Sequence, residues 1–172
     1  KYTALSESRY GVAILNDSKY GISAYEGQLR LSLHKGGVRP DYNGDKGRHY
    51  CEYAFLPHNC GFSAESVIEP SYAFNYKPIV VAGSRKMASL IEVDASNIVE
   101  TIKPCEDSER AFIVRLYEAE GTRTHASVQL GFAPKAVAET NMLEEHTADL
   151  PAAANFRLTF RPFEIKTVKV SY

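Results

Sequence analysis

His49 with Cys51, and His58 with Cys60, come closest in this sequence to a metal-ligand spacing. On a strand, residues i and i+2 share a face, so two His-x-Cys pairs could in principle surround a tetrahedral ion. The phase of the surrounding residues argues against it. Cys51 falls in step with Tyr53 and Phe55 and reads as a small core residue, and on one continuous strand His58 points away from His49. Nucleophilic serine chemistry lacks its local signature, since no Gly-x-Ser-x-Gly elbow occurs. Gly36-Gly37 and Gly44 lack the pattern and the following helix of a phosphate cradle. Recognition of a polyhydroxylated ligand has better material. Asp17, Lys19, Tyr20, Asp41, Asp45, His49 and Arg123 all fall in expected loops, where convergent hydrogen-bonding groups beside aromatic faces make such sites. Turn formation accounts equally well for each Asp, and a solvated surface for Lys19 and Arg123. The chain has 11 Tyr but no Trp, so the largest stacking surface for a sugar is absent.

The elements that must position these groups are short and read as strands. The strongest pattern lies between Tyr10 and Leu33. Val12, Ile14 and Leu15 form a partly β-branched apolar run, Asn16-Asp17-Ser18 breaks it as a turn, and Ile22 to Tyr25 resumes. Glu26-Gly27 turns again, and Leu29, Leu31 and Leu33 then alternate with Arg30 and Ser32. These predict a three-strand meander, with Leu29, Leu31 and Leu33 sharing a core with Val128, Leu130 and Phe132. Lys1 to Glu7 predicts an earlier strand. His49 to Pro57 predicts another, with Cys51, Tyr53 and Phe55 on one face. Ala64 to Phe74 predicts one short helix interrupted by Pro70, and Pro78 to Ala82 an extended apolar run. Leu90 to Val93 and Asn97 to Lys103 read as a strand pair. Ala111 to Tyr117, Ala126 to Phe132, Val137 to Leu143, Phe156 to Phe160 and the run through Ile165, Val168 and Val170 complete the series. Turn chemistry about every 8–12 residues without βαβ alternation predicts an all-β fold: an antiparallel β-sandwich with at most one or two short helices, a single domain over residues 1–172.

Composition sets the remaining bounds. The hydrophobic fraction is 44% and the charged fraction 24%, as in ordinary globular chains. A net charge of −1 gives no reason to expect nucleic acid or an anionic membrane as partner. No apolar run approaches the roughly 18 residues of a membrane span. No signal peptide opens the chain, and a start at Lys1 points to a processed chain or a fragment. Three cysteines, an odd and sparse set, fit a reducing compartment.

An ordered series of words adds a resemblance. Leu5-Ser6-Glu7, then Tyr10-Gly11-Val12-Ala13-Ile14-Leu15-Asn16-Asp17-Ser18-Lys19-Tyr20-Gly21, is similar to the C-terminal region of glycoside hydrolase family 38 α-mannosidases, most of all the cytosolic and vacuolar branch. Leu29 to Leu33, Pro40-Asp41 with Asp45, Gly47 and His49, Pro57-His58, Asn75 with Pro78, Val114 to Ala119 with Gly121 and Arg123, Leu143-Glu144-Glu145 and Phe160 to Thr167 follow in the family's order. Cys51 stands where the family commonly has an aromatic, and Leu33-His34-Lys35 replaces a more usual Leu-Leu-Arg.

The resemblance implies a multidomain enzyme whose nucleophile, acid/base carboxylate and zinc ion lie in an N-terminal catalytic part with no counterpart here. It therefore implies no catalytic residue, metal ligand or cofactor in this chain. It implies a non-catalytic accessory domain that packs on the catalytic domain of the same polypeptide, with loops Gly36–Gly47 and Gly121–His125 as contact points. Asp17, Tyr20, Asp45, His49 and Arg123 are the expected substrate-binding or active-site rim residues. Mannosides or mannose-containing oligosaccharides are the expected ligands, a homo-oligomer is a possible assembly, and the cytoplasm or the vacuole or lysosome is the expected compartment. A free-standing carbohydrate-binding sandwich is the alternative reading.

Overall fold

Residues 1–84, 88–94 and 96–172 are described by a computed structural model of the chain. The chain divides into two compact units, Lys1–Val81 and Ala82–Tyr172, where the sequence suggests one sandwich domain over 1–172. Each unit has its own sheets and core.

In the first unit the strands are β1 (Tyr2–Ser6), β2 (Gly11–Asn16), β3 (Ile22–Tyr25), β4 (Gln28–Leu31) and β5 (Tyr53–His58). β2 is central, pairing antiparallel with β1 and β5. Its alternation buries Ala13 and Leu15 on one face. A helical segment covers that face: a π-type turn, Ala64–Ile68, running into α1 (Glu69–Asn75). Val67 packs on Ala13 and Leu15, with Ala54, Leu56 and Phe74 around them. Ser63 caps the segment. Its Oγ accepts the Ser66 N–H and the Ser66 Oγ accepts the Ser63 N–H, both at 3.0 Å, which satisfies donors that a helix start leaves open. Pro70 sits in the first turn of α1, where its missing N–H costs nothing, so it divides the segment without breaking it.

Two expectations for this unit are corrected. The three-strand meander does not form: β3 and β4 make their own two-stranded ribbon. Its turn, Glu26-Gly27, has φ of 47° and 74°, the left-handed pair that suits a two-residue hairpin and that Gly27 adopts freely. The facing of β5 is also reversed. Tyr53 and Phe55 are exposed, and Ala54 and Leu56 face the core. Their small and aliphatic side chains pack beneath the helix on Ala13, Leu15 and Val67.

In the second unit the strands are β6 (Ile91–Val93), β7 (Asn97–Cys105), β8 (Ser108–Glu118), β9 (Thr124–Leu130), β10 (Ala136–Thr140), β11 (His146–Leu150), β12 (Asn155–Phe160) and β13 (Ile165–Ser171). They form two antiparallel sheets, ordered β11-β10-β13-β8-β7 and β12-β9-β6. Val114, Leu116, Val137, Val168 and Val170 of the larger sheet share one core with Ala126, Val128, Leu130, Phe156, Leu158 and Phe160 of the smaller. Each Val, Leu and Phe among them contributes about 1.5–3 kcal/mol by leaving water. This is an antiparallel β-sandwich, and with one α-helix among the described residues the chain is all-β.

Three further expectations change here. β6 and β7 do not pair with each other, because β6 joins β9 and β7 joins β8. β11 is a strand that the sequence does not suggest, because four of its five residues are exposed. Leu29, Leu31 and Leu33 are not part of the core holding Val128 and Leu130: the first two are half-buried on the β3–β4 ribbon and Leu33 is exposed.

The opposite face of the larger sheet carries a smaller apolar patch, Cys105, Ala111 and Ile113. The Glu144 carboxylate pairs with Lys103 and accepts the Glu106 N–H at 2.9 Å. Together with the bond from Arg115 Nη2 to the Met142 carbonyl, these fasten the loop after β10 to the sheet.

Candidate functional site

Two places gather polar groups, one in each unit. In the first unit, β2 ends at Asn16, whose buried side chain accepts the Lys19 N–H through Oδ1 at 2.9 Å. That bond closes the turn the sequence suggests and throws Asp17 outward. The Asp17 N–H donates to the Glu52 carbonyl at 2.9 Å, and its Oδ1 accepts the Ser18 hydroxyl at 2.6 Å. The turn is thereby joined to the segment leading into β5. A cleft of about 560 Å³ opens there, lined by Asp17, His49, Tyr50, Glu52, Asn75 and Lys77, with Cys51 and Phe74 as less polar wall.

Each wall group has a local anchor. His49 Nε2 lies 2.7 Å from the Asp45 carbonyl and, since a carbonyl oxygen only accepts, donates to it. The His34 ring lies against it with centroids 4.3 Å apart. Lys77 pairs with Glu52 at 3.4 Å, and Asn75 Nδ2 donates to the Ser71 carbonyl at 2.9 Å. The cleft therefore offers carboxylate acceptors, an ammonium donor and a phenol beside the Phe74 ring, the chemistry that holds a hydroxylated ring.

Of the expected site residues, the structure brings Asp17 and His49 into this cleft. Asp45 lies at φ 57° and acts through its backbone carbonyl, and Tyr20 is 87% exposed; neither lines the cleft. Arg123 belongs to the second unit. Glu52 and Phe74 carry no local signal for this cleft in the sequence, and Asn75 and Lys77 only the Asn75 to Pro78 spacing. Cys51, expected in a core, is half-buried and lines the cleft instead.

The second gathering is organised by Glu118, the last residue of β8. Its carboxylate is fully buried. Oε1 accepts the Glu120 N–H at 2.9 Å, the Thr122 hydroxyl at 3.2 Å and the Ser96 hydroxyl at 3.3 Å. Oε2 accepts the N–H groups of Gly121 at 2.8 Å, Phe163 at 3.0 Å and Thr122 at 3.1 Å. Burial pushes this carboxyl up, but the backbone donors of Phe163, Glu120, Gly121 and Thr122 more than offset it, and the group titrates below its ordinary value. Every acceptor site faces a donor, so Glu118 is an internal anion that shapes the loop carrying Arg123. It is not a free acid.

Among the described residues no three His, Cys, Asp or Glu side chains converge as a metal centre. The two His-x-Cys pairs are separated in use. His58 Nδ1 bonds the Cys60 carbonyl at 2.7 Å, and His49 is turned to Asp45. No described helix is long and apolar enough to cross a membrane.

Comparison with known proteins accounts for both units. The family model for the glycosyl hydrolases family 38 C-terminal beta sandwich domain matches residues 96–168, and that for the glycosyl hydrolases family 38 C-terminal domain matches residues 1–43. The chain is 34% identical to α-mannosidase G of Dictyostelium discoideum over 98% of its own length and 17% of that protein. It is 31% identical to human α-mannosidase 2C1, over 96% of this chain and 17% of the relative. It is also 31% identical to an α-mannosidase of Saccharomyces cerevisiae, over 100% of this chain and 18% of the relative. The chain thus spans less than a fifth of the length of each of these relatives. It belongs to the C-terminal region of the glycoside hydrolase family 38 α-mannosidases.

Proposed function

We propose that this chain is a non-catalytic accessory part of an α-mannosidase, packing on the catalytic domain of the same polypeptide and completing the rim of its active site. The observation that carries the reading is the cleft of the first unit, where Asp17 and His49 meet Glu52, Asn75 and Lys77. A terminal α-mannosyl residue of an oligosaccharide presents hydroxyls that both carboxylates can accept and that Lys77 can donate to. Asp17, Tyr20, Asp45 and His49 act at that rim, Asp45 by orienting His49, and Tyr20 from an exposed loop. Arg123 is a separate substrate-binding candidate on an exposed loop of the second unit. In this reading the catalytic carboxylates and the zinc ion reside in the larger part of the enzyme. Among the described residues no three His, Cys, Asp or Glu side chains gather to hold such an ion, and His49 Nε2 is spent on the Asp45 carbonyl. The enzyme works in the cytoplasm or in the vacuole or lysosome, alone or as a homo-oligomer.

The test uses a chromogenic aryl α-mannoside and added zinc. The purified chain gives no turnover above blank. In an α-mannosidase carrying this chain as its C-terminal region, Asp17→Ala and His49→Ala raise KM while leaving the fold intact. Turnover by the isolated chain that disappears in Asp17→Asn and Asp45→Asn would overturn the reading, because those loops would then hold a complete active site. Wild-type kinetics in both rim variants would overturn the rim assignment.

A further inference from the structure

At one end of the sandwich the core runs out to the surface. Phe112, which packs against the core, also meets Phe132 and Tyr172, with ring centroids 6.0 and 6.2 Å away, and Phe132 meets Tyr172 edge-on at 6.4 Å. These rings form one wall of a groove of about 890 Å³, which Leu90, Ile102 and Pro104 continue. Leu90 is 45% exposed, Ile102 44% and Tyr172 50%. Both sheets contribute, through the ends of β7 and β8 on one side and the residues flanking β6 and β9 on the other.

The lip of the groove is the β7–β8 hairpin, and it is acidic. Glu106, Asp107 and Glu109 line it, with Lys103 the one cation among the described lining residues. Lys103 is already held by Glu106 at 2.7 Å and by Glu144. Asp107 and Glu109 have no ion partner among the described residues, and both are exposed. An aromatic wall beside carboxylates that have no ion partner among the described residues selects by charge as well as by shape.

We propose that this groove docks an extended segment of a second polypeptide, seating an apolar side chain on Phe112, Phe132 and Tyr172 and setting flanking Lys or Arg residues against Asp107 and Glu109. Apolar contact supplies the affinity, and the acidic hairpin sets which segments are accepted.

Two synthetic peptides test this on the whole chain: acetyl-Lys-Leu-Lys-Phe-Lys-amide and its Glu-for-Lys counterpart. Backbone amide NMR follows the titration. The basic peptide gives saturable shifts confined to Leu90, the 104–110 hairpin, Phe132 and Tyr172, and the acidic peptide gives none. Asp107→Asn with Glu109→Gln weakens binding by roughly threefold to tenfold, as does raising NaCl from about 50 to about 200 mM. Tyr172→Ala weakens it at both salt concentrations, and Glu65→Gln, in the other unit, leaves it unchanged. Equal binding of both peptides, shifts elsewhere, or no saturation overturns the proposal. So does concentration-dependent self-association that covers the same residues, because the groove would then belong to a second copy of the chain. None of these results bears on mannoside turnover, so this proposal and the rim reading fail independently.

Discussion

The N–H groups of Gly121 and Phe163 end on the same oxygen, Oε2 of Glu118, at 2.8 and 3.0 Å. The Phe163 ring consequently lies over Gly121, so closely that a Cβ at position 121 would stand 2.7 Å from it. Gly121 is also left-handed, with φ of 75°. Gly121→Ala therefore meets both backbone strain and a ring. The loss is about 1–3 kcal/mol in urea unfolding. Phe163→Ala in the same chain recovers the steric share and leaves the strain, so a double-mutant cycle between them gives a coupling well above experimental error.

Glu118→Gln replaces one acceptor oxygen with an amide that faces backbone N–H donors. At least one buried donor then loses its partner, at a cost of about 1–3 kcal/mol. Glu92→Gln, on the exposed side of β6, stays within about 0.5 kcal/mol. Equal losses in the two variants, measured by denaturant midpoints at constant m, would show that the Glu118 carboxylate is not what holds the loop.

Glu144 gives the molecule a defined response to acid. Its bond to Lys103, then the Glu106 N–H, hold its carboxyl down from 4.5 to about 2. The folded-state value lies below the unfolded one, so the stabilisation is complete above about pH 4.5 and is lost as pH falls from there toward about 2. Lys103 is raised above 10.5 by Glu106 and Glu144, so its share is complete below 10.5 and fades in stronger base. Thermal midpoints between pH 5 and pH 2, measured on wild type and Glu144→Gln, should converge as the pH falls.

Leu116→Ala and Leu158→Ala each empty space in the closed core between the two sheets and cost about 2–5 kcal/mol. Leu31→Ala removes a half-buried side chain from the β3–β4 ribbon and costs clearly less, with Arg30→Ala smaller again. A loss at Leu31 as large as at Leu116 would restore it to a central core position.

Strands whose two faces meet different surroundings were legible in the sequence. β9 and β12 alternate because one face of each is sealed in the sandwich, so apolar identity tracks geometry, and β8 reads as a continuous apolar run because Ala111 and Ile113 are buried on its other face as well. β11 pairs through its backbone alone, with side chains in water, and so leaves no period to read. The facing of β5 is hard to read because Tyr53 and Phe55 are large and apolar yet stand outside, while Ala54 and Leu56 pack beneath the helix. β6 and β7 misled because neighbours in sequence usually pair, whereas here the chain crosses from one sheet to the other between them. In the first unit, polarity and turn chemistry marked Asp17 and His49, which line the cleft. Nothing local distinguishes Glu118 from an exposed turn carboxylate, since one of its donors arrives 45 residues later.

The three thiols fall at three depths: Cys60 exposed, Cys51 half-buried, Cys105 buried. Each unit therefore carries its own chemical clock. A bulky alkylating reagent marks Cys60 in the native chain and Cys51 more slowly, while Cys105 is spared until β7 parts from the loop that Glu144 fastens over it. The rate at which Cys105 is marked measures how often the second unit opens, whatever the first is doing.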